Sequence, residues 1–293
     1  MPNAAATIPL PLSCSCSTND RALRVMAYVA MLLLVIVFCW IVGDVGMRGA
    51  RAMSWSFLAE APSRAGRDGG IAPILYSTLL VMLVCMAVVL PMGLSAAVGL
   101  SEYLRRGGRL AGVIRVGLDV LAGTPSIAFG LFGNAFFCVF LGMRVSVLAG
   151  GLTLACMVLP LFVRLAEQSL RAVPGETRVA IDAVAMSRST SLFRVILPSA
   201  LPGITAAAGL SLSRALAETA ALLFTSGYVM RTPGTLLDPG RVLSVHIFDL
   251  SMNVAGGDAN AYASALVLTA ALLAVSAVPL IIARGRTASR RLA

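Results

Sequence analysis

Residues 69–101 read GGIAPILYSTLLVMLVCMAVVLPMGLSAAVGLS, from Gly69 to Ser101 without a charged side chain. A helix rises 1.5 Å per residue, so roughly 20 apolar residues cover a hydrocarbon core of about 30 Å. This stretch crosses such a core with residues to spare. Five further windows of at least 18 residues are equally free of charge, beginning at Val25, Val120, Val145, Val195 and Ala259. Hydrophobic residues make up 58% of the chain and charged residues 12%, about half the ~25% charged share usual in soluble domains. Nothing comparable is left over for a soluble domain. The expected fold is all-α: a polytopic integral membrane protein with six transmembrane helices. Its spans fall near 25–43, 71–100, 120–143, 145–163, 198–225 and 259–283. Residues 1–22 form a tail, and 23–293 form one transmembrane domain with a long loop near 164–197. The apolar run Val25 to Val42 exceeds the usual core of a signal peptide and lacks a clear small-x-small cleavage site, so it is kept as the first span.

All 23 basic residues are Arg. A nucleotide-hydrolysing phosphate loop needs a Lys on the β- and γ-phosphates, and Schiff-base chemistry needs one too. Any ATPase must therefore be a separate polypeptide. The net charge of +10 could suggest nucleic acid, but in a six-span chain it reads as the Arg excess that orients loops. With the N-terminus inside, the tail, the second and fourth connections and the C-terminus carry 15 Arg, and the opposite side carries 7. Both termini are expected in the cytoplasm. Cys39, Cys85, Cys138 and Cys156 lie inside spans and Cys14 and Cys16 in the tail, which leaves no pair for an external disulfide. Two tail thiols without a third ligand do not make a metal site.

The connections differ in kind. Two external loops, near 44–68 and 230–260, mix Gly, Pro and acidic residues and read as ordered loops or surface helices. The third connection is a tight turn at Gly142–Met143–Arg144. The third span opens Leu121-Ala122-Gly123-Thr124-Pro125-Ser126, where Pro125 removes a donor and disfavours helix at Thr124. This is either a break, tolerated at membrane depth where a cavity or protein satisfies the freed groups, or a helix start just inside the bilayer. Gly130 and Gly133 offer small surfaces for close helix packing.

Arg214 and Glu218 are the ionisable pair deep in the fifth span, and a spacing of four places them on one helical face. Ser211 and Thr225 extend that polar stripe. A charge at mid-membrane costs roughly 2.5–3.5 kcal/mol on insertion scales. The pair therefore either faces a translocation path or is a buried structural ion pair. On the path, Arg214 would grip an oxyanion through its planar fork. Glu218 would hold Arg214 and offset its charge, and Ser211 and Thr219 would add neutral donors.

The fourth connection carries a short amphipathic helix. Val179, Ala180, Ala183 and Val184 form its apolar strip, with Arg178 and Asp182 paired at i,i+4 beside it. Such a helix fits a groove on a partner or lies on the lipid interface. His246, the one His of the chain, reads as a loop-packing residue. No nucleophile–base set, carboxylate dyad or metal cluster is present in the sequence, so no enzyme is expected.

Four stretches resemble the permease subunits of ABC importers, specifically the phosphate-specific PstA type. They are 69–104, the Pro125-Ser126-Ile127 stretch of 121–133, Arg214-Ala215-Leu216-Ala217-Glu218-Thr219-Ala220-Ala221-Leu222-Leu223-Phe224-Thr225, and Leu243-Ser244-Val245-His246-Ile247-Phe248. The resemblance implies the type I permease fold and inorganic phosphate as cargo. It implies a heterodimer with a PstC-like second permease, a homodimeric ATP-binding subunit that carries the ATP and Mg²⁺, and a periplasmic phosphate-binding protein, in a bacterial inner membrane. No cofactor is expected on this chain. The family's cytoplasmic Glu-Ala-Ala…Gly…Leu-Pro signature is present in part. Leu197-Pro198, Ala180 and Arg178 fit, whereas Val179 stands at the first Glu and Ala185 at the Gly. That Gly permits a sharp turn between two short coupling helices. Ala217 and Ala221 likewise replace a Gly and a Pro in the fifth-span motif. A permease for sulfate or molybdate, or a non-transporting scaffold or sensor, stays open as an alternative.

Overall fold

A computed structural model describes residues 18–104 and 108–291, with side chains over 21–104 and 108–279. The tail cysteines Cys14 and Cys16, Arg105 and Arg106 of the second connection, and the side chains of the C-terminal arginines lie outside the described residues. The chain divides into two compact units, 1–47 and 48–293.

In chain order the helices are α1 (Thr18–Ala52), α2 (Trp55–Ala59), α3 (Ala72–Val98), α4 (Arg109–Gly123), α5 (Ser126–Gly133), α6 (Val147–Arg171), α7 (Gly175–Ala183), α8 (Arg188–Ser191), α9 (Leu197–Leu216), α10 (Ala220–Thr225), α11 (Leu243–Met252) and α12 (Asp258–Arg291). Wider π-helical turns prolong α3 over Gly99–Tyr103 and α5 over Asn134–Phe140, and introduce α9 over Leu192–Ile196. A two-residue hairpin pairs Pro62 with Gly69 and Ser63 with Asp68. Together with α2 and α11, it gives the two expected external loops ordered structure. Five described helices are long and apolar enough to span a membrane, or six if the bent pair α4–α5 counts as one span.

The core of the second unit is the contact of α3 with α6, and α9 packs on α6 beside it. A side chain at Gly93 would collide with the ring of Phe162. The small residue thus brings two backbones close where lipid supplies no hydrophobic drive between helices. Val81, Cys85 and Val89 of α3 and Leu154, Val158 and Phe162 of α6 are fully buried there. The four described cysteines are free.

Several expected boundaries are corrected. The first helix runs to Ala52, through Asp44, Arg48 and Arg51, so the loop expected from 44 starts later. The window 120–143 is not one straight span: its first residues close α4, the chain turns by 99° at Thr124–Pro125, and the rest runs from Ser126 to Phe140. The break is the one the Thr-Pro step favours; α4's amphipathic approach from Arg109 was not foreseen. Residues 164–171, read as loop, are the last two turns of α6. The fifth span, expected as 198–225, stops at Leu216 and restarts at Ala220.

Candidate functional site

The second break carries the first site. Ala217 caps α9, and Glu218 and Thr219 lie between the helices. No Pro or Gly causes this break. Its freed backbone groups are met from elsewhere: Ser244 Oγ of α11 donates to the Glu218 carbonyl at 2.6 Å, and Glu218 Oε1 accepts from Ala221 N at 3.4 Å at the start of α10. The expectation that Arg214 and Glu218 share one helical face is therefore wrong, because Glu218 is not in the helix. Among the described residues no ion pair joins them. Glu218 caps α10 instead of holding Arg214.

The segments beyond the two breaks pack on each other. A Cβ on Gly130 would sit 2.9 Å from Ala221 Cα and 3.0 Å from the Phe224 ring, and Asn134 Nδ2 donates to the Phe224 carbonyl at 2.7 Å. Gly133 likewise abuts Thr153, so both glycines serve the close packing their size allows. Beside this contact lies a cavity of about 270 Å³ lined by Leu121, Thr124, Phe129, Met157, Arg164 and Arg214, among others. Arg164 pairs with Asp119. Arg214, in the last turn of α9, is exposed and has no carboxylate partner among the described residues. Ser211, one turn earlier, is fully buried with its hydroxyl unpartnered. Thr219 is half-buried, and its carbonyl accepts from Leu222 N and Leu223 N at 3.1 Å. Neither Ser211 nor Thr219 lines the cavity. Of the four expected pathway residues, Arg214 alone reaches it.

The cytoplasmic signature lies on α7 and the turn after it. Val179, Ala180, Asp182, Ala183, Val184 and Ala185 are exposed, so the apolar strip is free, with Val179 at 68% and Val184 at 72% exposure. Leu197 is half-buried, and Pro198 is exposed in the first turn of α9. The expected Arg178–Asp182 pair is replaced. Arg178 turns inward, and its two terminal nitrogens donate to Glu102 Oε1 and Oε2, each at 2.9 Å. One of them also reaches the Leu170 carbonyl at 3.0 Å. This hydrogen bonding raises the Arg178 pKa further. Ala185 adopts φ +52°, so the sharp turn forms with Ala where the resemblance places Gly.

Sequence reasoning missed Glu102 and a nearby buried cluster. Glu167, 8% exposed, accepts from Arg115 at 2.9 Å and pairs with Arg171 at 2.7 Å. Arg171 also donates to the Leu100 carbonyl at 3.1 Å. The available signal was Arg171 four residues after Glu167 on α6, whereas Arg115 lies on α4, 52 residues earlier, and gave none. His246 is buried beside the Arg241–Asp249 pair. Burial, and then the Arg241 charge, push its pKa down to about 4. It is a packing residue, as expected.

Long apolar helices, breaks near a cavity where Arg214 has no carboxylate partner among the described residues, and a charged helix with an exposed apolar face are features of a multi-pass membrane protein. The chain belongs to the family of binding-protein-dependent transport system inner membrane components, whose pattern matches residues 89–285. It is an ABC transporter permease subunit of the inner membrane, in a family that works with a further permease subunit and an ATPase. The PstA-type resemblance holds across most of the chain. The chain is 34% identical over 222 residues to "Phosphate transport system permease protein PstA 1" of Mycobacterium tuberculosis (strain CDC 1551 / Oshkosh), covering 74% of this chain and 72% of that one. It is 30% identical to "Phosphate transport system permease protein PstA" of Mycobacterium leprae, covering 76% and 74%. It is 29% identical over 245 residues to "Probable ABC transporter permease protein YqgI" of Bacillus subtilis, covering 79% and 82%. The type I permease fold is seen in the likeness to an inward-facing MetNI methionine ABC transporter, at TM-score 0.59 and 18% identity, covering 80% of this chain and 99% of that one.

Proposed function

We propose that this chain is the PstA-type permease of an ATP-driven importer for inorganic phosphate. It lines the translocation path with a second, PstC-like permease and receives phosphate from a periplasmic binding protein. A separate homodimeric ATPase carries the ATP and Mg²⁺ and docks on the exposed strip of α7, with both termini in the cytoplasm. The observation that carries this reading is Arg214, a guanidinium without a carboxylate partner among the described residues, at the cavity beside the Thr124–Pro125 break. A charge left unpaired at membrane depth is retained where it meets water or an anion. A guanidinium suits a tetrahedral oxyanion through parallel hydrogen bonds. With Glu218 occupied in capping α10, the charge of Arg214 stays available to the passing anion. The phosphate relatives support the substrate. The similar permease whose name gives no substrate leaves sulfate and molybdate as rivals.

The test is uptake of radiolabelled phosphate by cells or vesicles holding the assembled complex. Removing a charge-assisted contact costs about 1.5–3 kcal/mol, roughly ten- to a hundredfold. Arg214→Ala should lower uptake by that factor while the complex still assembles. Normal uptake by this variant rejects the role of Arg214. Competition separates the rivals: excess sulfate or molybdate that suppresses uptake as well as phosphate does would reassign the cargo to oxyanions in general.

A further inference from the structure

We infer that the Glu102–Arg178 ion pair is a strap through which α7 moves the inner end of α3. The inference rests on the reading that an ATPase docks on α7. Few contacts hold this helix to the rest of the unit. Of its nine residues one, Ile181, is buried. The turns after it are exposed through Ser189. Against that sparse packing, Arg178 makes three hydrogen bonds to two different membrane helices. Two go to the Glu102 carboxylate on the π-helical extension of α3, and one goes to the Leu170 carbonyl of α6.

The geometry suits transmission of movement. A bidentate guanidinium–carboxylate pair fixes orientation as well as distance, unlike a single point contact. Its side chains are 30% and 15% exposed, so solvent screens the pair only in part. The receiving end is a π-helical turn, a form of helix found often at functional sites. Beyond the strap a cavity of about 290 Å³ separates α7 from the segment leading into α9, with Tyr103, Asp182, Met186, Arg188 and Leu192 among its walls. A helix held by so few contacts can shift into that space, and the Arg178 hydrogen bonds then carry the displacement to α3 and α6. The neighbouring Arg115–Glu167–Arg171 cluster and the Arg171 bond to the Leu100 carbonyl join α4 and α6 to the same end of α3. A displacement of α3 is thereby shared with the helix that leads into the cavity break.

In this reading Arg178 and Glu102 are positioning residues. The experiment measures phosphate delivered per ATP hydrolysed by the full complex in proteoliposomes, with binding protein and [³²P]phosphate. Glu102→Gln and Arg178→Gln should still co-purify with the ATPase and still hydrolyse ATP, yet deliver about tenfold less phosphate per ATP. The exchanged pair, Glu102→Arg with Arg178→Glu, should recover most of the loss, as coupled residues do in a double-mutant cycle. Three results overturn the strap. One is an unchanged delivery ratio in the single variants. Another is loss of hydrolysis, ATPase binding and delivery in parallel, the mark of a pair that only stabilises the loop. The third is an exchanged pair no better than the singles. If the unmodified chain binds no ATPase, the permease reading itself falls, and the strap with it.

Discussion

Ala185 sits at φ +52°, where a Cβ crowds the neighbouring carbonyl at a cost of about 1–2 kcal/mol. The turn forms nonetheless, because Met186 N bonds the Ile181 carbonyl at 3.3 Å and Ala185 N the Asp182 carbonyl at 3.0 Å. Gly would relieve the strain but loses more backbone entropy on folding, by roughly 0.5–1 kcal/mol. Ala185→Gly should therefore stabilise the turn by about 0.5–1 kcal/mol. Hydrogen exchange of the amides over 181–187 in the assembled complex reads this directly as slower exchange; faster exchange would show that Ala185 is not strained. The same turn shows why a substitution in a family signature need not remove the shape the signature serves.

Between the two broken helices the contact is close enough to test by overpacking. A Cβ at Gly130 already falls at 2.9 Å from a backbone atom of α10, Ala221 Cα, which cannot rotate away as a flexible side chain would. Gly130→Val should cost about 1–3 kcal/mol, the usual range for inserting methylenes into a packed site, and push α5 away from α10. Reduced thermal stability of the detergent-solubilised complex checks this, and a melting temperature equal to the unmodified chain's would refute the packing. The two breaks have different origins. Thr124–Pro125 breaks the helix by its own chemistry, since Pro lacks a donor and disfavours helix before it. Ala217–Thr219 has no such residue, only a β-branched Thr219 and a Glu218 carboxylate that accepts from Ala221 N. It is held open by Ser244 from a helix 26 residues further along the chain, which takes the Glu218 carbonyl.

For the whole molecule, the proposed orientation places α7 and the α8 turn in the cytoplasm and the turn near Gly234 outside. In a background without native cysteines, Ala183→Cys should react with a membrane-impermeant maleimide in inside-out vesicles only, and Gly234→Cys in right-side-out cells only. The reverse pattern would invert the topology read from the Arg distribution. Both positions are exposed in the chain alone, so labelling is read in membranes that hold this chain without the ATPase proposed to cover α7.

Crossings were legible because a bilayer demands a minimum length of uncharged residues, and that demand is met residue by residue along the chain. The Pro125 break, the small faces of Gly130 and Gly133, the exposed strip of α7 and the packing role of His246 belong to the same local class of signal. Partnerships were not legible. Periodicity assigned Arg178 to Asp182 and Arg214 to Glu218, because a spacing of four is the one contact a helix guarantees. Folding brings Glu102, 76 residues away, to Arg178 with two hydrogen bonds instead of one. It breaks the helix before Glu218 by supplying a hydroxyl from α11. Sequence spacing ranks neighbours within one helix, whereas the partner of a charge is chosen by which helices meet, and that depends on packing across the whole bundle.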